Sequence, residues 1–484
     1  MVAHHSQRLP LCLLFIVVLI ASCLAPAVDT SLVSPAEPDI FKVRLPLISI
    51  AYPWQSPFGV ESNEEAAGTV LDRAGELGTR WYRLHRISWR AIQPEEGGPY
   101  DWSVLDSFDG ELRSLRQAGF TPVVVVHHSP YWATINDPSP TDCGAIRADK
   151  FDEFAAFMQA VVARYKQPEF NVHYWELGNE PDVDPTLVAA DSVFGCWGDM
   201  DDPYYGGRHY GEMLQVVYPA IKAIDRQAQV LVGGLLLGKP NTTVPPGQGR
   251  PELFLQGILE AGAAPYFDIL PYHAHPVYLG QAADYDNGLP SPWRTRGGWT
   301  LGKARFLREM MAVYGVDKPL FLGETALGCE SAYWTCDPPP ADFFEAQADF
   351  VVRTFARDLS EKIEALIWYT LDGPGWRSTG LLDPDNNPRP VYYAYQQLVI
   401  RLQNGEFDQA VDYGPGIEAY RFSTRARLID ILWSIDTISD TITVPQPEFL
   451  AAYSRDGAVL NPEPVGSDYQ FVVGFSPIYV ERQP

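Results

Sequence analysis

Asn179 and Glu180 stand in the stretch YWELGNEPD (174–182), after a bulky apolar run and just before Pro181. Glu324 closes the apolar run PLFLGE (319–324). Most glutamates in a protein are salt-bridged or capping groups, whereas an acid at the carboxyl end of a buried strand suggests chemistry. Two carboxyl groups flanking one bond supply a protonated donor for a leaving oxygen and an ionised group that attacks an acetal carbon. At roughly 5–5.5 Å separation the second group is a covalent nucleophile and configuration is retained; at roughly 6.5–9.5 Å a water fits between and configuration inverts. Such a pair works only where the surroundings drive the two pKa values apart. Arg83, at the end of RWYRLH (80–85), is placed to keep the attacking carboxylate ionised.

The elements that must carry these residues follow a rhythm. Eight short apolar or β-branched runs read as strands: LISIA (47–51), RWYRLH (80–85), PVVVVH (122–127), VHYWELG (172–178), VLVGG (230–234), FDILPYH (267–273), PLFLGE (319–324) and ALIWYT (365–370). Between them lie segments of helical period. The first opens at Asn63 as N-cap and stops at Gly78. The strands are nearly continuously apolar, as in a parallel sheet buried on both faces. Eight such units fit an α/β fold of the (β/α)8 barrel type over residues 45–403. No GxGxxG follows a strand, which argues against a dinucleotide fold. In such a barrel the site lies at the carboxyl ends of the strands, and strands 4 and 7 face each other across it. Beyond Asn404 alternating patterns replace helices, so residues 404–484 read as a small β domain of sandwich type.

The chain has 484 residues and a formal charge of −25, which disfavours nucleic acid and anionic lipid as partners. Residues 1–27 read as an export signal: Arg8, then an apolar run from Leu11 to Ala21 too short for a permanent span. IASC (20–23) resembles a bacterial lipobox with Cys23 as the lipid-bearing residue, while APA (25–27) fits ordinary cleavage. Either places the protein outside the cytoplasm, on the cell surface or secreted, with any membrane contact through that anchor. Residues 28–44, rich in Pro, Ser and Asp, read as a linker. Four cysteines remain, Cys143, Cys196, Cys329 and Cys336, and an exported chain favours disulfides. Three pairings are possible; the short gap favours Cys329–Cys336, leaving Cys143–Cys196.

Further polar residues stand at strand ends. VHHSPYW (126–132) offers His127 or His128 to sugar hydroxyls and Trp132 for stacking. His273 and His275 form an H-x-H pair used by metal-dependent barrels, but such sites need ligands from other strands, and LISIAYPW offers none, so no metal is expected. The acidic loop 182–207 lacks EF-hand spacing and reads as solvated.

WELGNEP after strand 4 and FLGET after strand 7 resemble the clan A retaining glycoside hydrolases. RWYRLHRISWRAIQPEEGGPYDWSVLD (80–106) and YPAIKAIDRQAQVLVGG (218–234) are similar to members of family 39 or family 5. The resemblance implies Glu180 as acid/base, Glu324 as nucleophile and Asn179 as partner of the sugar 2-hydroxyl. It implies Arg83 as support for the nucleophile and Trp368 as the aromatic floor of the pocket. His273 matches the usual strand 6 histidine. His275 departs from the pattern, standing where a tyrosine is common, with Tyr272 or Tyr278 as possible substitutes. The reading is an exported retaining β-glycosidase or glycanase acting on oligo- or polysaccharide without a cofactor. Its rivals are a non-catalytic surface carbohydrate-binding lipoprotein and a metal-dependent barrel hydrolase.

Overall fold

The computed structural model describes residues 56–135, 144–185, 195, 197–238, 250–280, 283–287, 293–331, 334–336, 338–436 and 439–484. The export signal, the linker, Cys23 and the Cys143–Cys196 pair lie outside these residues, as does the LISIA segment.

Eight parallel strands form one sheet: β1 (Phe58–Glu61), β2 (Trp81–Ser88), β3 (Thr121–His127), β4 (Tyr174–Asn179), β5 (Gln229–Gly234), β6 (Leu270–Ala274), β7 (Leu320–Thr325) and β8 (Ala365–Tyr369). Their order is β5-β4-β3-β2-β1-β8-β7-β6. Bridges from Leu231 to Ile269 and from Leu235 to Tyr272 join the two edges, so the sheet closes into a barrel. Helices α1 (Gly68–Leu77), α2 (Asp106–Ala118), α3 (Phe151–Tyr165), α4 (Gly207–Ile224), α5 (Phe254–Glu260), α6 (Trp299–Val313), α7 (Ala341–Ser360) and α8 (Pro390–Leu402) alternate with the strands.

Seven of the eight strands fall where the apolar runs put them. The exception is the first: β1 is FGVE, not LISIA. It was hidden because it is four residues long and contains Gly59. That glycine is demanded by packing, since a Cβ there would sit 2.6 Å from Trp81 Cβ on the neighbouring strand. Asn63 is likewise not an N-cap. Its N–H donates to Asp372 Oδ1 at 2.8 Å, and α1 begins five residues later.

Strand periodicity decides what reaches the barrel interior, because alternate side chains point to opposite faces. On β2, Tyr82 and Leu84 join the apolar layer between sheet and helices. Trp81 points inward and plugs the amino-terminal end with Val123, Leu231, Ile269, Phe321, Ala365 and Ile367. Trp81 meets Tyr174 and Phe321 edge-on at 4.9 and 5.3 Å. Two and four residues on, Arg83 and His85 face the same interior nearer the carboxyl end.

The carboxyl-terminal segment forms a sandwich. A five-stranded antiparallel sheet contains β9 (Glu406–Ala410), β10 (Ile417–Ser423), β11 (Leu428–Ser434), β13 (Phe449–Ser454) and β16 (Ile478–Arg482). It faces a three-stranded sheet of β12 (Asp440–Pro445), β14 (Glu463–Val465) and β15 (Asp468–Val473). Ile429, Ile431 and Trp433 of β11 join the barrel's core, whereas Leu432 joins the sandwich core. Cys329 and Cys336 form a disulfide in the loop after β7, the pairing favoured by their short gap.

Substituting Gly59→Ala is expected to destabilise the fold by about 1–3 kcal/mol, the usual cost of overpacking. Urea unfolding measures it; an unchanged midpoint would mean that β1 and β2 do not approach as closely as described.

Candidate active site

The carboxyl end of the barrel is organised around Arg83, which has no solvent exposure. Its Nε and Nη2 donate to the two oxygens of Glu176 at 2.9 and 2.8 Å. Nη2 also donates to Asn179 Oδ1 at 2.8 Å, and Nη1 to Glu61 Oε2 at 2.7 Å. Nη1 donates again to Glu324 Oε1. One cation thus joins the ends of β1, β2, β4 and β7. Glu176 points inward by the same alternation as Arg83 and also accepts the Gly234 N–H at 2.9 Å.

Glu180 follows β4 with φ of 48°, a left-handed turn that aims its side chain across the barrel mouth. His273 Nδ1 lies 3.0 Å from Glu180 Oε1 and 3.7 Å from Glu324 Oε1. His275 Nε2 lies 3.4 Å from Glu324 Oε2. One oxygen of each glutamate and one nitrogen of each histidine all lie within 4.8 Å of one another. Both glutamates are buried.

Their environments push them apart. Burial raises Glu180 well above the usual carboxylate range, and the negative charges of Glu324 and Asp182 add to it. Burial would raise Glu324 too, but His273, Arg83 and a hydrogen bond from His275 outweigh it and hold that carboxyl well below the range. Burial also drives His273 well below its ordinary value. Arg83 is the permanent charge among the groups that keep Glu324 ionised.

The site contains residues that the sequence reading missed. Glu61 shares Arg83 with Glu324, and burial, outweighing Arg83, pushes its carboxyl up to about 8. His85 Nε2 sits 3.4 Å from Glu61 Oε1 and 3.7 Å from Glu324 Oε1. The available signal was the i, i+2, i+4 series Trp81, Arg83, His85. Glu61 was lost with the misplaced first strand. Lys303, buried on α6, donates to the carbonyls of Leu236 at 2.7 Å and His273 at 2.6 Å, tying the ends of β5 and β6 together. VGG (232–234) also finds its reason here: a Cβ on Gly234 would overlap His273 Nε2 at 2.0 Å.

Two expectations are corrected. Trp368 does not floor the pocket. It is fully buried, its ring lies 6.2 Å from that of Phe350 on α7, and its Nε1 donates to the Thr379 carbonyl at 2.9 Å. Ile367 points into the barrel, so Trp368 must point out, and the inward residue is Tyr369. The Tyr369 ring lies 5.9 Å from His275, and its hydroxyl is pushed up by burial and by the charges of Glu61, Glu324 and Glu180. Neither Tyr272 nor Tyr278 takes the missing tyrosine's place. Tyr272 faces the helix layer, and the Tyr278 hydroxyl donates to Asp342 Oδ2 at 2.6 Å. His275 itself makes the contact to Glu324.

His128 lines a small cavity beside Asn179, with Trp89, His127 and Trp197 around it. Trp132 stands behind it, edge-on to Trp89 at 5.3 Å, its Nε1 donating to the Gln93 carbonyl at 3.3 Å. Glu180, His273, His275 and Glu324 could in principle ligate a cation, as could Glu61, His85 and Glu324. Metal-bound histidines, however, almost always pass their other ring N–H to an acceptor. His273 Nε2 and His275 Nδ1 have no such partner, so the donor set fits a metal poorly.

No family model matches the chain, and no curated protein matches it in sequence. Solved structures do. A family 39 glycoside hydrolase from Bacteroides cellulosilyticus WH2 is similar over 89% of this chain and 81% of its own, with a TM-score of 0.65 at 17% identity. The catalytic domain of a family 30 xylanase C from Talaromyces cellulolyticus matches over 90% of this chain and 98% of its own, with a TM-score of 0.61 at 10% identity. A family 51 α-L-arabinofuranosidase from Bifidobacterium longum matches over 88% and 92%, with a TM-score of 0.51 at 14% identity. These likenesses establish the fold as one shared with glycoside hydrolases. They include family 39, one of the two families that the motifs resemble.

Glu61 yields a linkage prediction. Its carboxyl titrates at about 8 in the fold against 4.5 when free, so the native protein keeps a proton that the unfolded chain releases. The stability from this group is fully present below pH 4.5 and is lost as pH rises toward 8. Glu61→Gln cannot ionise and is expected to flatten that fall. Unfolding free energies at several pH values across the window test this; a slope identical to wild type would refute it.

Proposed function

We propose that this protein is an exported retaining glycoside hydrolase acting on neutral β-linked glycans. The observation that carries the reading is the pair itself. Glu180 and Glu324 face each other with oxygens within 4.8 Å and have carboxyl groups driven in opposite directions. That spacing favours the shorter, covalent route over the one that needs a water between the groups.

In the proposed first step Glu324 attacks the anomeric carbon as the glycosidic C–O bond breaks, and Glu180 gives its proton to the departing oxygen. A glycosyl ester on Glu324 results. In the second step the now ionised Glu180 takes a proton from water. The water oxygen bonds to the anomeric carbon, the ester breaks, and both carboxyl groups return to their starting states. Arg83 stabilises Glu324 before attack and after release. Asn179, held by Arg83, faces the same space and is assigned the 2-hydroxyl of the sugar under attack. The chemistry needs no cofactor. The acidic chain suits a neutral glycan, and the apolar amino-terminal run with the Cys329–Cys336 disulfide supports export.

The direct test combines a panel of aryl β-glycosides and glycans with mass spectrometry of a trapped fluorosugar. Labelling is expected on Glu324, and Glu324→Gln is expected to lose turnover. Glu180→Gln should lower kcat roughly 10²–10⁴-fold on unactivated glycans. Activity should follow a bell with pH, the acid limb reporting ionisation of Glu324 and the alkaline limb proton loss from Glu180; Glu180→Gln should abolish the alkaline limb. A label on another residue, or an active Glu324→Gln enzyme, would defeat the assignment. Glycan binding that Glu324→Gln leaves unchanged, with no turnover by wild type, would favour the non-catalytic binder.

A further inference from the structure

The loop after β8 carries an exposed tryptophan that the catalytic scheme leaves unused. Trp376 is 41% exposed. Its ring meets His275 edge-on at 5.4 Å, and His275 is the residue that touches Glu324. The Arg377 guanidinium covers part of the indole, 4.1 Å from the ring centroid. Exposure therefore falls on the rest of the ring, at the rim of the catalytic pocket.

The turn holding Trp376 is fixed more firmly than a surface loop requires. Arg377 and Ser378, neither a glycine, both adopt the left-handed region at φ 52° and 61°. Such strain persists only where surrounding contacts over-determine it, and here four successive carbonyls are all engaged. The Trp376 carbonyl accepts from Thr379 Oγ1 at 2.7 Å, and that of Arg377 accepts from the Cys329 N–H at 2.8 Å. The Ser378 carbonyl accepts from Gln347 at 3.1 Å and Arg389 at 3.3 Å, and that of Thr379 from Trp368 at 2.9 Å. Cys329 is held in turn by its disulfide to Cys336. Buried Trp368 thus does not touch substrate but helps aim a tryptophan eight residues on.

We infer that Trp376 is a stacking platform for a second pyranose ring of the substrate. This rests on the glycosidase reading and deepens it. The C–H face of a neutral sugar presents an apolar, weakly positive patch that suits the negative face of an indole. His275 stands between Trp376 and Glu324, so the stacked ring is a neighbour of the ring attacked, not that ring itself. The substrate class is therefore an oligo- or polysaccharide read over at least two rings.

The test uses the full chain in a Glu324→Gln background, titrated calorimetrically with neutral β-linked oligosaccharides of two to six rings. Adding Trp376→Ala is expected to weaken binding about tenfold, with an unchanged melting temperature because the ring is exposed. Trp376→Phe should recover most of the loss, and replacing both Cys329 and Cys336 with alanine should weaken binding in the same direction. Equal affinity with and without Trp376, or no oligosaccharide bound at all, overturns the inference. The catalytic reading fails separately: binding that depends on Trp376, with no fluorosugar label on Glu324 in wild type, would keep the platform and sink the hydrolase.

Discussion

A single guanidinium inside the barrel organises the carboxyl groups around it. Arg83 has no access to water and touches Glu61, Glu176 and Glu324 together with Asn179. A charge buried this deeply is tolerated only when partners replace its hydration, and removing one partner strands the others. Three carboxyls against one cation also leave the cluster short of positive charge. Burial, with the negative charges of Glu324 and Glu176 adding to it, raises Glu61 to about 8 against the pull of Arg83, and a protonated Glu61 lessens that shortfall.

The same imbalance separates the two facing glutamates. Arg83 donates to Glu324 and not to Glu180, so one carboxyl is paired with a cation while the other is raised by its burial beside an anion. Two acids of the same type in one pocket thereby acquire opposite tendencies, with His273 and His275 acting on Glu324 alongside Arg83. Lys303 moderates this without reversing it. Its charge lowers Glu180 somewhat, but its hydrogens are spent on the carbonyls of Leu236 and His273. Histidine at 275 brings one ring nitrogen to 3.4 Å from Glu324 Oε2.

Much of this was legible in the amino-acid order. Continuous apolar runs marked seven strands because a parallel barrel buries both faces of each. The placement of Glu180 and Glu324 followed from their position at the ends of two of them. What was not legible depended on register or on short elements. β1 has four residues and a glycine that packing, not propensity, demands, so neither it nor Glu61 stood out. Trp368 and Tyr369 are adjacent, and a single-residue difference in register exchanges pocket for helix layer. Trp376 lies in a loop whose course depends on contacts from β8 just before it and on distant ones from α7 and the disulfide-bonded Cys329.

The carboxyl-terminal sandwich packs against the barrel and shares its core. Residues of its larger sheet contribute to both cores: Ile429, Ile431 and Trp433 to that of the barrel, Leu432 and Val480 to that of the sandwich. Its polar contacts converge on α7. Arg455 donates to the Glu345 carbonyl at 2.8 Å and pairs with Asp349, Arg357 pairs with Glu418 at 2.6 Å, and Arg353 lies over the rings of Trp433 and Phe475 at 5.3 and 4.0 Å. Gln347 lies on this same helix, between Glu345 and Asp349, and reaches back to the carbonyls of Leu327 and Ser378. Fixing α7 from outside therefore fixes, through Gln347, the loops after β7 and β8 at the pocket rim.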